Sequence, residues 1–440
     1  MKNVATARLA ECCRGTGLNL IVDNDLASPP SLRCPTGTTA NPGLVDVPFD
    51  SAVPTQPWEN LQVRDAATFA SFSRRVTDLL HVWGITPLLT SLWPVAVECQ
   101  QRGEALATSL SACRIAQERK WHVRNLELPV SELCQTEPFL AFVTHICRNA
   151  ERFFNAYNRG VREYRRKYRI RNAHHPVPDL KQQGNQLELP FWYWEPGDHD
   201  RARLFVQRGE QGIELWGKER LLAVLPETGD DFSPLQKLQQ TGRLRTRALT
   251  TTLFARLCLG DLFLHGIGGA RYDEITDGLM AEFFGIAPPP FLTLTATLHL
   301  PLGSTETTAA DVSRLKSRIR HLKFSGDDDD QTPDVMALRQ QRDDLIKIAC
   351  IERGAELSRS QRQDRRAARR RRHLELVRIQ EELAARAGLA VQRLQQQLDV
   401  AREQVRASAI LRSREFSFAL FPESKILQLV QDVQRQVCGR

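Results

Sequence analysis

The segment from Leu262 to Glu274 carries more residues with chemical potential than any other part of the chain. Its ionisable and hydrogen-bonding side chains are His265, Arg271, Tyr272, Asp273 and Glu274. Among them lie Gly266, Gly268 and Gly269, where a missing Cβ lets the backbone take a positive φ and approach a ligand closely. Helical spacing follows over 273–284. The sequence therefore predicts a glycine-rich turn before a helix, a geometry that binds anions on backbone N–H groups.

Two interpretations of this turn stay open. One is an anion-binding site, and the other is a tight turn between two core elements. The stretch Gly266-Ile267-Gly268-Gly269 is neither the GxGxxG of dinucleotide-binding folds nor a P-loop with its Lys and Ser or Thr. Residues 250–264 are almost all apolar or Thr, which predicts a buried segment running into the turn under either interpretation.

A second group of polar residues follows an apolar strand near the start of the chain. Residues 1–13 have the pattern of a helix that ends before two glycines, and residues 18–22 predict a short buried strand of a parallel sheet. The strand is followed by Asp23, Asn24 and Asp25. Open α/β sheets bind their ligands just beyond the carboxyl ends of such strands. The alternative is an ordinary turn capped by these side chains.

Composition limits the class of protein. The 440 residues suffice for two or three domains, and 42% hydrophobic residues suffice for ordinary globular cores. No window approaches the run of about 18 apolar residues that a membrane helix needs. Residues 1–13 have no signal-peptide core, so a cytoplasmic location is expected. The ten cysteines contain no CxxC pair, and we interpret them as reduced thiols, most of them buried.

Three charged clusters have a structural interpretation beside a functional one. Asp198, His199 and Asp200 are metal-ligand types, but they lie in a turn rich in Pro and Gly. The net charge of +8 comes partly from arginine-rich runs within 162–171 and 365–372, which would suit a phosphate backbone. The solvated face of a long helix is the simpler explanation of both runs. No metal and no cofactor is predicted.

The middle of the chain changes from helical to strand-like patterns. Apolar residues at three- and four-residue spacing predict helices within 66–83, 89–114 and 139–168. Short strands are predicted at 191–194, 203–206 and 212–216, with turn residues between them. Together these strands predict a small antiparallel meander.

From residue 311 onward the apolar spacing is that of heptads. The first seam residues are Val312, Leu315, Ile319 and Leu322. After an Asp-rich loop the seam continues through Leu376, Ile379, Leu383, Ala387, Val391, Leu394, Leu398, Ala401 and Val405. This spacing predicts a coiled coil in which 311–322 and 334–352 pair antiparallel with 374–408, with Leu394 and Leu398 facing the seam. An apolar return at 412–422 and a helix at 423–437 follow.

Three landmarks resemble those of one enzyme family. The first is the strand end Leu20-Ile21-Val22-Asp23-Asn24-Asp25. The second runs from Arg245-Thr246-Arg247 through Ile267-Gly268-Gly269 to Tyr272-Asp273-Glu274, and then to Phe283-Phe284-Gly285-Ile286-Ala287-Pro288. The third is the coiled coil with the return from Phe416 to Pro422. Their order is similar to that in the bacillithiol biosynthesis cysteine-adding enzyme family.

The resemblance implies a fold. It is an α/β fold with a Rossmann-like parallel-sheet core, helical insertions and a C-terminal antiparallel coiled-coil hairpin. Together with the patterns above, it divides the chain into six regions. These are 1–63, the start of the Rossmann-like core; 64–175, a helical region; 176–235, a small β-rich insertion; 236–305, the core continuation with the glycine-rich turn; 306–411, the coiled-coil hairpin; and 412–440, the C-terminal return and helix.

The resemblance also implies an activity, the ligase-like addition of cysteine or a similar thiol amino acid to a small sugar conjugate or amine. The expected catalytic residues are Asp23, Asp25 and His265. The expected substrate-binding residues are Arg247, Gly266, Gly268, Gly269, Arg271, Tyr272 and Asp273. Because strand ends and helix starts meet at one edge of such a sheet, we expect Asp23, Asp25, His265 and Gly268 to come together in space.

Family members carry a strand and a Thr-Gly-Gln-Gln type turn ahead of the helix with which this chain begins. We therefore expect the chain to lack a complete nucleotide or anion pocket. Two other function classes stay open: a catalytically inactive coiled-coil interaction protein, and, less favoured, a protein that binds nucleic acid through its Arg-rich helix. The expected partner is a small anionic or amine-bearing molecule, with a homodimer kept open and no membrane contact.

Overall fold

The computed structural model describes residues 1–52, 54–247, 249–304, 306–351 and 359–437, with the backbone alone for 349–351 and 359–364. The protein is mixed α/β, as the sequence predicts, and helices predominate. The chain divides into two compact units. The first comprises Met1–Cys34, Val45–Leu298 and Arg414–Arg440, and the second comprises Pro35–Leu44 and His299–Ser413. No described helix is both long and apolar enough to cross a membrane.

The described α-helices in chain order are α1 (Lys2–Cys13), α2 (Ala66–His81), α3 (Leu89–Gln101), α4 (Leu106–Lys120), α5 (Val130–Leu133), α6 (Glu137–Arg148), α7 (Ala150–Lys167), α8 (Ser233–Thr241), α9 (Leu249–Cys258), α10 (Ile267–Leu279), α11 (Ala309–Ser325), α12 (Pro333–Ile351), α13 (Arg359–Arg386), α14 (Gly388–Leu411) and α15 (Glu423–Val437). The strands are β1 (Leu18–Ile21), β2 (Ser31–Gly37), β3 (Pro42–Pro48), β4 (Leu126–Pro129), β5 (Gln182–Gln183), β6 (Gln186–Trp194), β7 (Ala202–Gly209), β8 (Gly212–Gly217), β9 (Arg220–Leu225), β10 (Arg243–Thr246), β11 (Phe263–Gly266) and β12 (Phe291–Leu294).

Four strands of the first unit form two short parallel pairs. β1 pairs with β4, placing Leu18 opposite Leu126, and β11 pairs with β12, placing Phe263 opposite Phe291. The sequence predicts one parallel sheet, but in the described part of the chain these pairs are separate two-stranded sheets. Each strand has only four residues, and α1 contacts both β1 and β11. α1 thus packs against one strand of each pair.

The predicted meander is part of a larger antiparallel sheet. Its strand order is β10-β6-β7-β8-β9, with β5 paired to β6. The three predicted strands lie within β6, β7 and β8. The sequence interpretation missed β10, because its residues Arg243 to Thr246 lack apolar alternation. β10 exists through its pairing with β6, where Leu244 lies opposite Tyr193.

An aromatic core joins this sheet to the helices of the first unit. Phe139 of α6 lies edge-on to Phe191 of β6 and to Phe254 of α9, with ring centroids 6.2 Å and 5.6 Å away. All three side chains are fully buried. Aromatic side chains bury large areas and prefer this edge-to-face arrangement. The contacts fix α9 on the sheet, and α9 leads directly into the segment that carries His265.

The predicted glycine-rich turn before a helix at 273 is wrong. α10 begins at Ile267, with Gly266 as its N-cap at φ −77° and ψ 162°. Gly268 and Gly269 lie in the first turn of the helix, and none of the three has a positive φ. The chain leaves β11 in an extended conformation and enters a right-handed helix, so no left-handed residue is needed. The glycines leave space rather than bend the backbone.

The described part of the second unit contains four long helices. α11 contacts α13 and α14, and α12 contacts α13. Several predicted seam positions are buried: Ile319, Leu322, Ile379, Leu383, Ala387, Leu398 and Ala401. Leu394 is half-buried. The predicted segment 374–408 is interrupted at Ala387, whose ψ of 3° leaves the helical range just before Gly388, a poor helix former. Residue 352 of the predicted pairing lies outside the described residues.

Replacing Leu398 by Ala is expected to destabilise the second unit. The side chain is 3% exposed in α14, so truncation removes buried methyl groups and leaves a cavity. Such a change costs about 2–5 kcal/mol. Leu389 on the same helix is 74% exposed and is the matched control, with an effect within about 0.5 kcal/mol. Urea unfolding followed by circular dichroism measures both, and equal effects would contradict the burial of Leu398 in a packed seam.

Candidate functional site

A cleft of about 370 Å³ in the first unit is lined by α1, β1 with the loop after it, α9 and the β11 segment. Its lining residues are Lys2, Asn3, Thr6, Leu18, Asn19, Leu20, Val22, Asn24, Asp25, Thr246, Thr251, Thr252, Leu262, Phe263, Leu264 and His265. We call it the site cleft. It brings together Asn24, Asp25 and His265, which lie far apart in sequence. The floor along the strands is apolar, and the polar groups come from the strand ends and helices.

One wall of the site cleft depends on a close approach at Gly17, between α1 and β1. A Cβ at Gly17 would lie 2.2 Å from Asn125 Oδ1 and 3.3 Å from the Thr6 side chain, so any other residue would have to displace the Asn125 side chain. Asn125 Nδ2 donates to the carbonyl of Asn3 over 2.9 Å, and Leu126 N donates to the carbonyl of Gly17 over 2.7 Å. These contacts hold α1 beside the start of β1 and place Asn3 and Thr6 on the wall.

Asp23 has a structural position. Its Oδ1 accepts a hydrogen bond from Ser131 N over 2.9 Å, and its Oδ2 accepts from the Ser131 hydroxyl. The side chain is 6% exposed and does not line the site cleft. Ser131 lies in α5, directly after β4. Asp23 therefore ties the end of β1 to the end of its partner strand.

Asn24 presents an unused acceptor. It is 3% exposed, and its Nδ2 donates to the carbonyl of Thr246 over 2.9 Å. Its Oδ1 has no hydrogen-bond partner among the described residues. Buried polar atoms are nearly always paired, and an unpaired one in a native structure needs an explanation. Because Asn24 lines the site cleft, a donor on a bound molecule would satisfy it.

Asp25 lies at the rim of the cleft and is held by an arginine from the antiparallel sheet. Its Oδ1 is 3.0 Å from Arg201 Nη1, which also donates to the carbonyl of Asn24 over 2.8 Å. The Arg201 guanidinium lies 4.7 Å from the centre of the Trp192 ring. The Asp25 side chain remains 68% exposed, so one face of its carboxylate stays open to solvent. Arg201 thus fixes the loop after β1.

Arg245 and Arg247 form buried ion pairs. Arg247 Nη1 lies 2.5 Å from Glu188 Oε1, and its guanidinium stacks 4.7 Å from the Trp192 ring centre. Arg245 donates to both carboxylate oxygens of Glu59, over 2.9 Å and 2.8 Å. Burial raises the pKa of Glu59, and Arg245 opposes that rise. Arg247, expected to bind substrate, is therefore occupied by Glu188 and does not line the site cleft.

His265 is positioned by a buried charged network. Its Nε2 is 2.7 Å from Asp273 Oδ2, and the same oxygen is 2.5 Å from Arg256 Nη1. Arg256 also lies 2.7 Å from Asp277 Oδ1 and donates to the carbonyl of Pro289. His265 is 7% exposed, while Arg256 and Asp273 are 2% exposed. Asp273 thus orients the imidazole through this hydrogen bond and does not itself line the site cleft.

The remaining predicted residues do not line the site cleft. Gly266, Gly268 and Gly269 form the start of α10, and Arg271 is exposed on that helix. Tyr272 packs against Tyr164 and His175, with ring centroids 6.2 Å and 5.5 Å away. These positions follow from helical geometry, because a helix directs successive side chains to different faces and cannot bring all of 267–273 to one cleft.

Two structural partners were missed from the sequence. Arg256 lies inside the apolar run 253–259, and a lone charge in such a run is a signal for a buried partner. Arg201 follows the turn that contains Asp198, and nothing local connects it to residue 25. Asp198 itself accepts from Glu195 N over 2.6 Å and pairs with Lys218. No cluster of three metal-ligating side chains occurs among the described residues.

Five of the described free cysteines are buried. Burial raises the pKa of six thiols, those of Cys34, Cys99, Cys113, Cys134, Cys147 and Cys258. Burial raises the pKa of Cys134 to about 12. The interpretation of all ten as reduced thiols is wrong for Cys12, which is disulfide-bonded. Cys438 lies outside the described residues.

No protein-family model matches the chain, and no curated protein matches it either. The resemblance based on sequence landmarks therefore remains a proposal.

Replacing Asp273 by Ala is expected to destabilise the first unit. The change leaves the buried Arg256 guanidinium without its closest carboxylate partner, and breaking a buried pair in this way costs about 3–5 kcal/mol. Asp261 is an exposed carboxylate in the same segment, and its replacement by Ala changes stability by about 0.5 kcal/mol or less. Urea unfolding measures both variants. Equal stabilities would show that Arg256 does not depend on Asp273.

Proposed function

We propose that the protein is an enzyme whose substrate binds in the site cleft and whose general base is His265. The observation that carries this proposal is the pairing of His265 with Asp273 at the wall of a cleft that also contains an unpaired acceptor on Asn24. A histidine held by a buried carboxylate is a recurrent arrangement for proton transfer. An ordinary core histidine would not need to line a polar cleft.

The hydrogen bonds of Asp273 determine which ring nitrogen of His265 can accept a proton from the substrate. Asp273 Oδ2 already accepts from Arg256, so it is an acceptor toward the imidazole and Nε2 is the donor. In the neutral ring, Nδ1 then carries the lone pair. Nδ1 lies against Gly269, where an added Cβ would stand only 2.8 Å away. Gly269 thereby leaves open space next to Nδ1.

The polar groups of the cleft favour a substrate with an amine. Asn24 Oδ1 and the open face of Asp25 are acceptors, which match an ammonium or amine donor. Lys2 from α1 adds a cationic group suited to a carboxylate or phosphate. The volume of about 370 Å³ is in the range of small-molecule sites.

The reaction follows from the resemblance to the bacillithiol biosynthesis cysteine-adding enzymes. In it, an amine of the acceptor molecule attacks the carboxyl carbon of cysteine or a similar thiol amino acid. A C–N bond forms as His265 Nδ1 takes a proton from the amine, and the C–O bond of the carboxyl group breaks as His265 returns that proton to the departing hydroxyl, which leaves as water. Asp25 and Asn24 hold the amine-bearing substrate, and Asp23 supports their loop.

The finer fold assignment belongs to the same proposal. We infer a Rossmann-like core from the two parallel pairs β1–β4 and β11–β12, and a coiled-coil hairpin from the buried seam of the second unit. A cytoplasmic location and a homodimer are the corresponding expectations. The alternative of a catalytically inactive interaction protein is favoured by exposed apolar residues of α11 and α12, namely Phe324, Met336, Ile346 and Ile348. It predicts no turnover in the assay below.

Replacing Gly269 by Ala is expected to block His265 while leaving α10 folded. The new methyl group would press on Nδ1, and the imidazole cannot yield without losing its hydrogen bond to Asp273. Gly268→Ala is the matched control, because a Cβ there meets nothing within 4 Å. Both changes favour the helix by up to about 1 kcal/mol. The assay is mass spectrometry of cysteine with amino-sugar conjugates, with and without ATP.

We expect Gly269→Ala and His265→Asn to lower turnover about 100-fold or more, since a general base contributes about 10²–10⁴. Gly268→Ala should retain wild-type turnover. Equal activity of the two glycine variants would remove His265 Nδ1 from the mechanism. Absence of product from the wild-type chain with every conjugate would favour the interaction protein.

A further inference from the structure

A second concavity in the first unit, which we call the aromatic pocket, has a different chemistry. Its volume is about 330 Å³, and its walls come from α2, α3, α4, the residues Leu32 and Phe49, and the short helical turn at 418–420. The residues that matter most are Phe49, Phe72, Leu92, Trp93, Leu110 and Phe418. It shares no lining residue with the site cleft.

The wall of the aromatic pocket is rigid and apolar. The rings of Phe72 and Trp93 have centroids 4.5 Å apart, and Phe49 lies 5.6 Å from Phe72 and 6.0 Å from Trp93. These three side chains are almost fully buried, whereas Phe418 at the mouth is 44% exposed. Small-molecule sites have this combination of apolar walls and a volume of several hundred Å³.

The polar groups around the pocket are nearly all occupied. Trp93 Nε1 donates to the carbonyl of Phe69 over 2.6 Å. Arg114 is paired with Glu118 and Glu127, with contacts of 2.7 Å to 3.0 Å. Cys113 donates to the carbonyl of Ser109, and burial raises the pKa of its thiol to about 11, so the group stays neutral.

One polar group remains available. The hydroxyl of Ser111, which is half-buried on α4, makes no hydrogen bond among the described residues. Ser417 also lines the pocket, but its Oγ already accepts from Ala419 N over 3.3 Å, and Arg114 is paired with Glu118 and Glu127, so Ser111 carries the lining hydroxyl with both roles unused among the described residues. A charged ligand would lose its hydration without gaining a partner, which is strongly unfavourable.

We propose that the aromatic pocket binds an uncharged apolar small molecule that carries one hydroxyl or carbonyl group. Its apolar body lies against Phe72 and Trp93, and its polar end bonds with Ser111. A medium-chain alcohol has this chemistry, and the carboxylate of the same chain length does not. This site is independent of the proposed enzyme activity.

The test uses the full chain and the uncharged fluorophore N-phenylnaphthylamine as the probe. The expected result is saturable binding, with decanol displacing the probe at concentrations about tenfold or more below those of decanoate. Ser111→Ala should weaken the binding of decanol several-fold and leave the binding of the probe unchanged. Equal displacement by decanol and decanoate, or no saturable binding, would overturn the proposal.

Matched tryptophan variants locate the binding. Leu110→Trp places an indole in the pocket and should abolish probe binding, whereas Leu221→Trp on the exposed side of β9 should not. Circular dichroism melting checks that each variant folds. Ser111→Phe occludes the same pocket from α4 and is used where Leu110→Trp does not fold. A folded occluded variant that binds the probe as tightly as wild type would overturn the assignment.

Discussion

The buried pairing of Arg256 with Asp273 is the interaction on which the site depends. Removing two charges from water is costly, and the cost is offset only when both groups have close partners. Here Asp273 serves Arg256 and His265 together, and Arg256 reaches the carbonyl of Pro289 just before β12. The network therefore connects α9, β11, α10 and the start of β12. Because Asp273 pairs with both Arg256 and His265, the carboxylate that neutralises the arginine also fixes the orientation of the His265 ring.

The other arginines of this unit follow the same rule. Arg247 with Glu188 and Arg245 with Glu59 connect β10 to β6 and to the loop after β3, and Arg201 connects β7 to residue 25. From sequence, an arginine near a glycine-rich segment suggests a substrate anion. In the folded chain, most of these guanidiniums form ion pairs that hold the antiparallel sheet and the segments next to it together. Trp192, between Arg201 and Arg247, gives both an apolar surface to stack on.

Sequence patterns predicted the elements with strong periodicity and missed those that depend on distant partners. α15 was predicted to the residue because its apolar face repeats at helical spacing, and the end of α1 was predicted because two glycines, Gly15 and Gly17, follow it. β10 was missed because four residues with two arginines become a strand only beside β6. The helix start at Ile267 was missed because glycines were interpreted as a turn, whereas an N-cap at Gly266 allows an immediate helix. The sequence predicts one parallel sheet, but its strands form two separate two-stranded sheets in the described part of the chain.

The candidate site was predictable in part for the same reason. Asp25 and His265 were singled out by residue type, and both line the site cleft. Asp23 and Arg247 were singled out in the same way, but their side chains are occupied by Ser131 and Glu188. Residue type identifies groups with chemical potential, and only the tertiary partners decide which of them remain available. Asn24 illustrates this, because its importance comes from one oxygen that the fold leaves unpaired.

The tautomer of His265 tests the central claim most directly. Long-range ¹H–¹⁵N NMR of histidine-labelled protein distinguishes a protonated ring nitrogen from one that carries the lone pair. The account predicts that neutral His265 is protonated at Nε2, toward Asp273, with the lone pair on Nδ1. A proton on Nδ1 would contradict it, because Nε2 would then be the acceptor and the base would have no free nitrogen beside Gly269.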